Sequence, residues 1–336
     1  MTATVHPIGA ARAASLEPII QLAAADLNHV NSVILERMQS DVALIPELAG
    51  HLIAGGGKRM RPMLTLACAA LLDYQGARHH KLAAAVEFIH TATLLHDDVV
   101  DSSGLRRGRR TANIIWGNPA SVLVGDFLFS RAFELMVEDG SLKVLKILSR
   151  ASSVIAEGEV SQLSAQRRIE TSEDHYLEII SAKTAALFAA ACRIAAVVAE
   201  RDESVEEALD AYGRNLGVAF QLVDDAIDYS SDAATMGKGV GDDFRDGKVT
   251  LPVILAYARG GEADRAFWRD AIAGDVEPPD LERATRLLRE TNALADTLER
   301  ARLFGRRAID ALGPFTAGRA KGALVEAVEF AIQRAY

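Results

Sequence analysis

The sequence predicts an all-α protein built as one large helical bundle, on three observations. Alanine and leucine dominate a 336-residue chain that is 49% hydrophobic but only 6% aromatic. Good helix formers therefore prevail over the β-branched and aromatic residues that favour strands. Most of the nine prolines stand at segment starts rather than inside periodic stretches. Apolar residues recur at helical spacing along almost the whole chain.

The elements follow in order. Periodicity marks helices over Leu16–Gln39, Ser40–Ala54, Arg61–Leu72 and Lys81–Asp101. Lys81–Val100 is apolar nearly all round, which predicts a central helix buried on most sides. Asn118-Pro119 reads as an N-cap and a proline at the first helical position, opening Pro119–Val137. Leu142–Ala165, Ser172–Ala199 and Val205–Tyr229 come next, and Thr250-Leu251-Pro252 opens Leu251–Ala258. Ala263–Ala273, Asp280–Leu312 and Thr316–Ala335 complete the set. The break at Glu277-Pro278-Pro279 reads as a loop within one bundle, because the helices beyond it carry too little apolar surface to stand alone. Residues 1–15 are expected to be a short frayed tail and 16–336 a single domain.

Composition excludes several functions. A formal net charge of −9 argues against a nucleic-acid surface. No uninterrupted apolar run reaches the length of a membrane span, so no stable membrane anchor is expected. Cys68 and Cys192 have neither disulfide-framework nor zinc spacing. They read as small buried residues in a reducing cytoplasm.

Two acidic runs carry the chemistry: Asp97-Asp98-Val99-Val100-Asp101 and Asp224-Asp225-Ala226-Ile227-Asp228. Positions i and i+4 share a helix face, so Asp97 aligns with Asp101 and Asp224 with Asp228. One such run alone could be a solvated helix end. Two, each embedded in apolar sequence, concentrate carboxylates where their charge is expensive. Mg²⁺ offsets that cost and prefers one or two carboxylates together with phosphate oxygens. Two facing turns would therefore hold a diphosphate between them.

Basic residues cluster at Gly55-Gly56-Gly57-Lys58-Arg59-Met60-Arg61-Pro62, a glycine hinge entering a helix N-terminus that favours an anion. A second cluster, Arg106-Arg107-Gly108-Arg109-Arg110, follows the first acidic turn. A third runs from Gly237-Lys238 to Gly247-Lys248 after the second turn. Each acidic turn is thus trailed by a glycine-containing basic segment suited to diphosphate.

With these motifs assembled, the chain resembles the trans-isoprenyl diphosphate synthases, or polyprenyl synthetases, and most of all their long-chain octaprenyl and decaprenyl members. GGKRxRP spans Gly56–Pro62, LLHDDVVD spans Leu94–Asp101, and RRG and GD stand at Arg106–Gly108 and Gly125-Asp126. GEVxQL spans Gly158–Leu163, KTAALF spans Lys183–Phe188, and FQLVDDxxD spans Phe220–Asp228. GKxxGxD and GKxTLP follow between Gly237 and Pro252. The resemblance covers roughly residues 50–255 in strict order. It departs at Arg110, where the family often has proline, and at Ser102-Ser103, where acidic residues are common.

The resemblance implies an isoprenoid synthase bundle of the class I type around a central cavity. Asp97, Asp101 and Asp224 would ligate Mg²⁺, supported by Asp98, Asp225 and Asp228. Arg106, Lys183, Thr184, Gln221, Lys238 and Lys248 would meet an allylic diphosphate. Lys58, Arg61, His90 and Arg107 would hold isopentenyl diphosphate. His96 reads as structural. A homodimer is expected. Ala92 and Thr93, just before the first acidic turn, are small where an aromatic ring would block a growing chain. That implies a long product of about forty to fifty carbons of the kind used as a quinone side chain, with Phe88, Phe129 and Phe133 as candidate floor. The alternatives are a medium-chain synthase, a class I terpene cyclase or a non-catalytic regulatory subunit. A cyclase needs no second diphosphate site, and a regulatory subunit would be expected to have lost ligands.

Overall fold

A computed structural model describes residues 14–54, 57–106, 108–229, 241–274 and 280–334. Helices α1 (Glu17–Arg37), α2 (Leu44–Ala54), α3 (Met60–Leu71) and α4 (Arg78–Val100) come first. A two-stranded antiparallel ribbon, β1 (Leu105–Arg106) with β2 (Arg109–Arg110), follows. Then come α5 (Ala112–Trp116), α6 (Asn118–Asp139), α7 (Leu142–Ala165) and α8 (Glu173–Ile180). A π-helical turn, Ser181–Ala185, leads into α9 (Ala186–Val198) and α10 (Glu203–Asp228). The remainder is α11 (Asp242–Arg245), α12 (Leu251–Arg259), α13 (Glu262–Ala273), α14 (Leu281–Glu290), α15 (Ala293–Ala311) and α16 (Arg319–Gln333). The all-α expectation holds.

Local chemistry sets many of the boundaries. Ser141, Ser172 and Asp202 cap α7, α8 and α10 by accepting the N–H of Val144, His175 and Val205. Helix α6 corrects one expectation. Its cap is Gly117, at φ 85°, so Asn118 and Pro119 both lie inside the first turn and the asparagine side chain caps nothing. The expected Ser172–Ala199 helix is interrupted by the π turn, and Asp280–Leu312 is split where Asn292 takes φ 57°. The ribbon, α5 and α11 escaped the sequence reading because each is too short to show a period.

Helix α4 is central, as its pattern predicts, and packs against α1, α3, α6 and α9. Leu82, Ala83, Val86, Phe88, Ile89, Ala92 and Leu95 are all buried along it. Two apolar clusters share helix α10. Leu209, Tyr212 and Leu216 join the cluster around α1, α3, α4, α6, α7 and α9. Val218, Leu222, Val223 and Ile227 join a second, with residues of α8 and α12 to α15. The stretch Glu173–Val198 has the length and hydropathy of a membrane span, but most of it is buried inside the bundle. Cys68 and Cys192 are free and buried, as expected.

Gly158 lets α7 approach the π turn. A Cβ there would lie 2.7 Å from the backbone nitrogen of Lys183. Gly158→Ala should therefore force the backbones apart and cost about 1–3 kcal/mol. Urea unfolding should show a lower midpoint with an unchanged slope.

Candidate active site

The first acidic turn closes the C-terminal end of α4. Asp97 is half-buried, and burial pushes its carboxyl up to about 7, with Glu159 and Asp101 adding repulsion and Lys183 and Arg106 opposing. Asp98 is buried and takes both Nη2 (2.7 Å) and Nε (2.9 Å) of Arg106, held out by the short ribbon. Asp101, just past the helix end, pairs with Lys248 at 3.0 Å. Lys248 also meets Asp246 at 3.2 Å and Asp243 at 3.7 Å. Burial alone would depress its ammonium. The carboxylates of Asp243, Asp101 and Asp246 outweigh that and raise it above the usual lysine range.

The second turn ends α10. Asp225 is fully enclosed, accepting from the Tyr176 hydroxyl and from Gln221 Nε2 at 2.9 Å. Burial, then the charge of Asp243, lifts its carboxyl to about 7 against those two donors. Asp228 accepts the N–H of Asp243 at 3.2 Å, and its carbonyl accepts that of Gly241 at 2.7 Å, so it anchors the α11 entry. Asp224 pairs with Nη1 of Arg334 at 2.7 Å. Asp224 and Asp228, one turn apart on the same helix, thus meet different partners.

The π turn lies beside both acidic runs. π bulges often mark functional sites, because the extra residue re-aims side chains. Lys183 bonds Glu159 of α7 at 2.8 Å, and its charge lowers Asp97. Thr184 donates to Gln221 Oε1 at 2.8 Å, and Gln221 in turn holds Asp225. Lys183-Thr184 and Lys248 therefore border the same two carboxylate turns.

Of the residues expected at a second diphosphate, Arg61 and His90 meet. Arg61 Nη1 lies 3.0 Å from His90 Nε2. Its guanidinium rests 4.4 Å from the Phe188 ring. Phe188 packs on Phe220 at 5.7 Å, and Arg334 covers Phe220 at 3.7 Å. Lys58 is exposed, with its ammonium 4.6 Å over Phe330 of α16. Arg59, at φ 47°, turns the chain into α3. Arg107 and Lys238 fall outside the described residues. His96 bridges to α6, 3.2 Å from the Val122 carbonyl and 3.4 Å from Asp126, occupying the space a Cβ on Gly125 would need.

Sequence reasoning missed Arg334, Tyr176 and Glu159 as members of this site. Glu159 lay inside the GEVxQL motif and could have been suspected. Tyr176 and Arg334 carry no local signal, since only folding brings them to α10.

A polyprenyl synthetase family model matches residues 42–288. The chain belongs to the polyprenyl synthetase family. It is 44% identical over 322 residues to an octaprenyl diphosphate synthase of Haemophilus influenzae, covering 96% of this chain and 98% of the relative. It is also similar to a polyprenyl synthase of Caulobacter crescentus solved with calcium and isoprenyl diphosphate. That likeness has 53% identity and a TM-score of 0.94, over 97% of this chain and all of the other (100%). A decaprenyl diphosphate synthase of Rhodobacter capsulatus gives 48% identity and a TM-score of 0.92, over 96% and 100% of the two chains. As a polyprenyl synthetase the chain is a prenyl-transferring enzyme, and the fold of these solved relatives is its own.

Upstream on α4 of this synthetase, Ala92 is fully buried and Thr93 is half-buried, its hydroxyl donating to the His90 carbonyl at 2.8 Å. Phe129 and Phe133 are half-buried and pack together at 5.5 Å. Phe88 is buried and lines a cavity with Ile34, Met38, Leu52 and Leu128, to which Arg59, Glu87, His90, Asp98 and Arg106 also contribute.

The donor set fits a hard divalent cation. It is all oxygen, and burial pushes two of its carboxyls up to about 7, where a bound cation would favour their charged form. Both carboxyls are raised above their unfolded values. The stability they contribute is therefore full below about pH 4 and lost as pH rises towards about 7. The metal-free chain should lose melting temperature over that window. Mg²⁺ binding should release protons and strengthen with pH up to about 7, then level off. Calorimetric titration in buffers of different ionisation enthalpy checks this, and equal Mg²⁺ affinity at acid and alkaline pH would contradict it.

Proposed function

We propose that the chain condenses isopentenyl diphosphate with an allylic diphosphate and repeats the step to build a long all-trans polyprenyl diphosphate. The observation that carries this reading is a pair of desolvated acidic turns with Lys183 and Lys248 beside them. The printed names of the octaprenyl and decaprenyl relatives support the long product.

In this reading Asp97, Asp101 and Asp224 hold Mg²⁺, which when bound neutralises charge on the departing diphosphate. Ligation by Asp224 requires its ion pair with Arg334 to open or to be shared. Arg106, Lys183, Thr184, Gln221, Lys238 and Lys248 orient the allylic diphosphate. Its C–O bond ionises, and the groove's apolar walls keep water from the cation. Lys58, Arg61, His90 and Arg107 hold isopentenyl diphosphate so that its double bond attacks the cation. The proton then lost goes to the released diphosphate. No nucleophilic side chain is required.

The product serves as a quinone side chain in this proposal, and the enzyme works in the cytoplasm, consistent with two free buried cysteines. It works as a homodimer. Ile114, Ile115, Val122 and Leu123 are exposed on consecutive helices α5 and α6, an apolar face that a second copy would cover.

Purified chain incubated with isopentenyl and farnesyl diphosphates should make a polyprenyl product only with Mg²⁺ present. Asp97→Ala and Asp224→Ala should each lower turnover by more than about tenfold, or ~1.4 kcal/mol of transition-state stabilisation. Retention of most activity would overturn the metal assignment.

Ala92 and Thr93 set product length in this reading. Ala92→Phe should shorten the product to roughly fifteen or twenty carbons while ionisation continues, because a ring adds bulk without touching the metal ligands. Chromatographic sizing reads the outcome. An active variant that still makes the full-length chain would refute the assignment.

A further inference from the structure

At the far end of α4 from the acidic turn, α1 and α4 bring together a cluster that the prenyl-transfer reaction does not use. Seventeen residues of helix separate His80 from Asp97, roughly 26 Å. Asp26 of α1 turns both carboxylate oxygens towards imidazoles of α4. Oδ1 lies 2.9 Å from His80 Nε2 and Oδ2 lies 3.5 Å from His79 Nε2. One donor atom from each of the three residues falls within 4.8 Å of the others. The two imidazole rings are 4.1 Å apart and tilted by 42°. His29, one turn along α1 from Asp26, stacks on His80 at 4.8 Å. The Tyr74 ring meets His79 edge-on at 5.2 Å.

His79 is the telling member. It is only 4% exposed, and among the described residues its Nδ1 has no hydrogen-bond partner. A histidine buried simply as structure would normally satisfy both ring nitrogens.

We propose that Asp26, His79 and His80 form a second metal site, selective for a nitrogen-preferring cation such as Zn²⁺ and separate from the acidic turns. Two imidazoles and one carboxylate form a set that suits Zn²⁺, whereas Mg²⁺ prefers oxygen alone. Three protein ligands leave a fourth position for water. His29, stacked on His80, and Tyr74, edge-on to His79, pack against the two rings and restrict their orientation. A bound cation would tie α1 to α4 at the base of the bundle.

Full-length chain, stripped with chelator and kept in excess Mg²⁺, is titrated with Co²⁺ while its visible absorption is followed. One equivalent per chain should give a low-symmetry Co²⁺ band, displaced by Zn²⁺, and Zn²⁺ should raise the melting temperature. His80→Gln and Asp26→Asn should each weaken Co²⁺ binding by more than about tenfold while leaving prenyl transfer in Mg²⁺ unchanged. The Asp97→Ala variant, inactive in prenyl transfer, should keep the band, so the two sites fail separately. Absence of a band in the parent chain, or a band that survives both cluster substitutions, would reduce the cluster to hydrogen-bonded histidines. Loss of the band in Asp97→Ala would assign the metal to the acidic turns and refute the proposal.

Discussion

The structure depends on one electrostatic constraint: the carboxylates of two acidic turns are drawn out of water and are answered by cations from other elements. Asp97 and Asp225 sit at about 7 because burial disfavours their charge and neighbouring acids add to it. Arg106, Lys183, Lys248 and Arg334 supply countercharge, each from a different element than the acid it serves.

Arg106 and Lys248 are tied to carboxylates. Arg61 rests on the Phe188 ring and meets His90, and Lys58 lies over Phe330. An aromatic face attracts a cation through its quadrupole. Phe220, between Phe188 and Arg334, joins this aromatic row to the second acidic turn. Arg334, just past α16, therefore contacts both Phe220 and Asp224.

Much of this was legible in the sequence, because its signals are local. Helical periodicity located α1, α4, α7 and α10 to within a few residues, and α4 was recognised as central from apolar character on every side. Arg61 and His90, which the resemblance assigns to one anion, do meet. What failed were features that interrupt a period without changing composition. The π turn at Ser181–Ala185 looks like ordinary alanine-rich helix, and its extra residue is held by the close approach of α7 at Gly158. Asn292 breaks a helix through its backbone angle alone, and Gly117 displaces Asn118 from the cap.

By itself the sequence determined the fold class, the two acidic turns and their trailing basic segments, because periodicity and short motifs are properties of neighbouring residues. Tertiary structure decided which cation answers which carboxylate. Arg334 reaches Asp224, Tyr176 closes over Asp225, and Lys248 crosses to Asp101. It also decided that Asp26 meets His79 and His80. Such pairings join positions tens to hundreds of residues apart. Charge interactions of this kind depend on distance and burial, and both quantities come into being only when the helices pack.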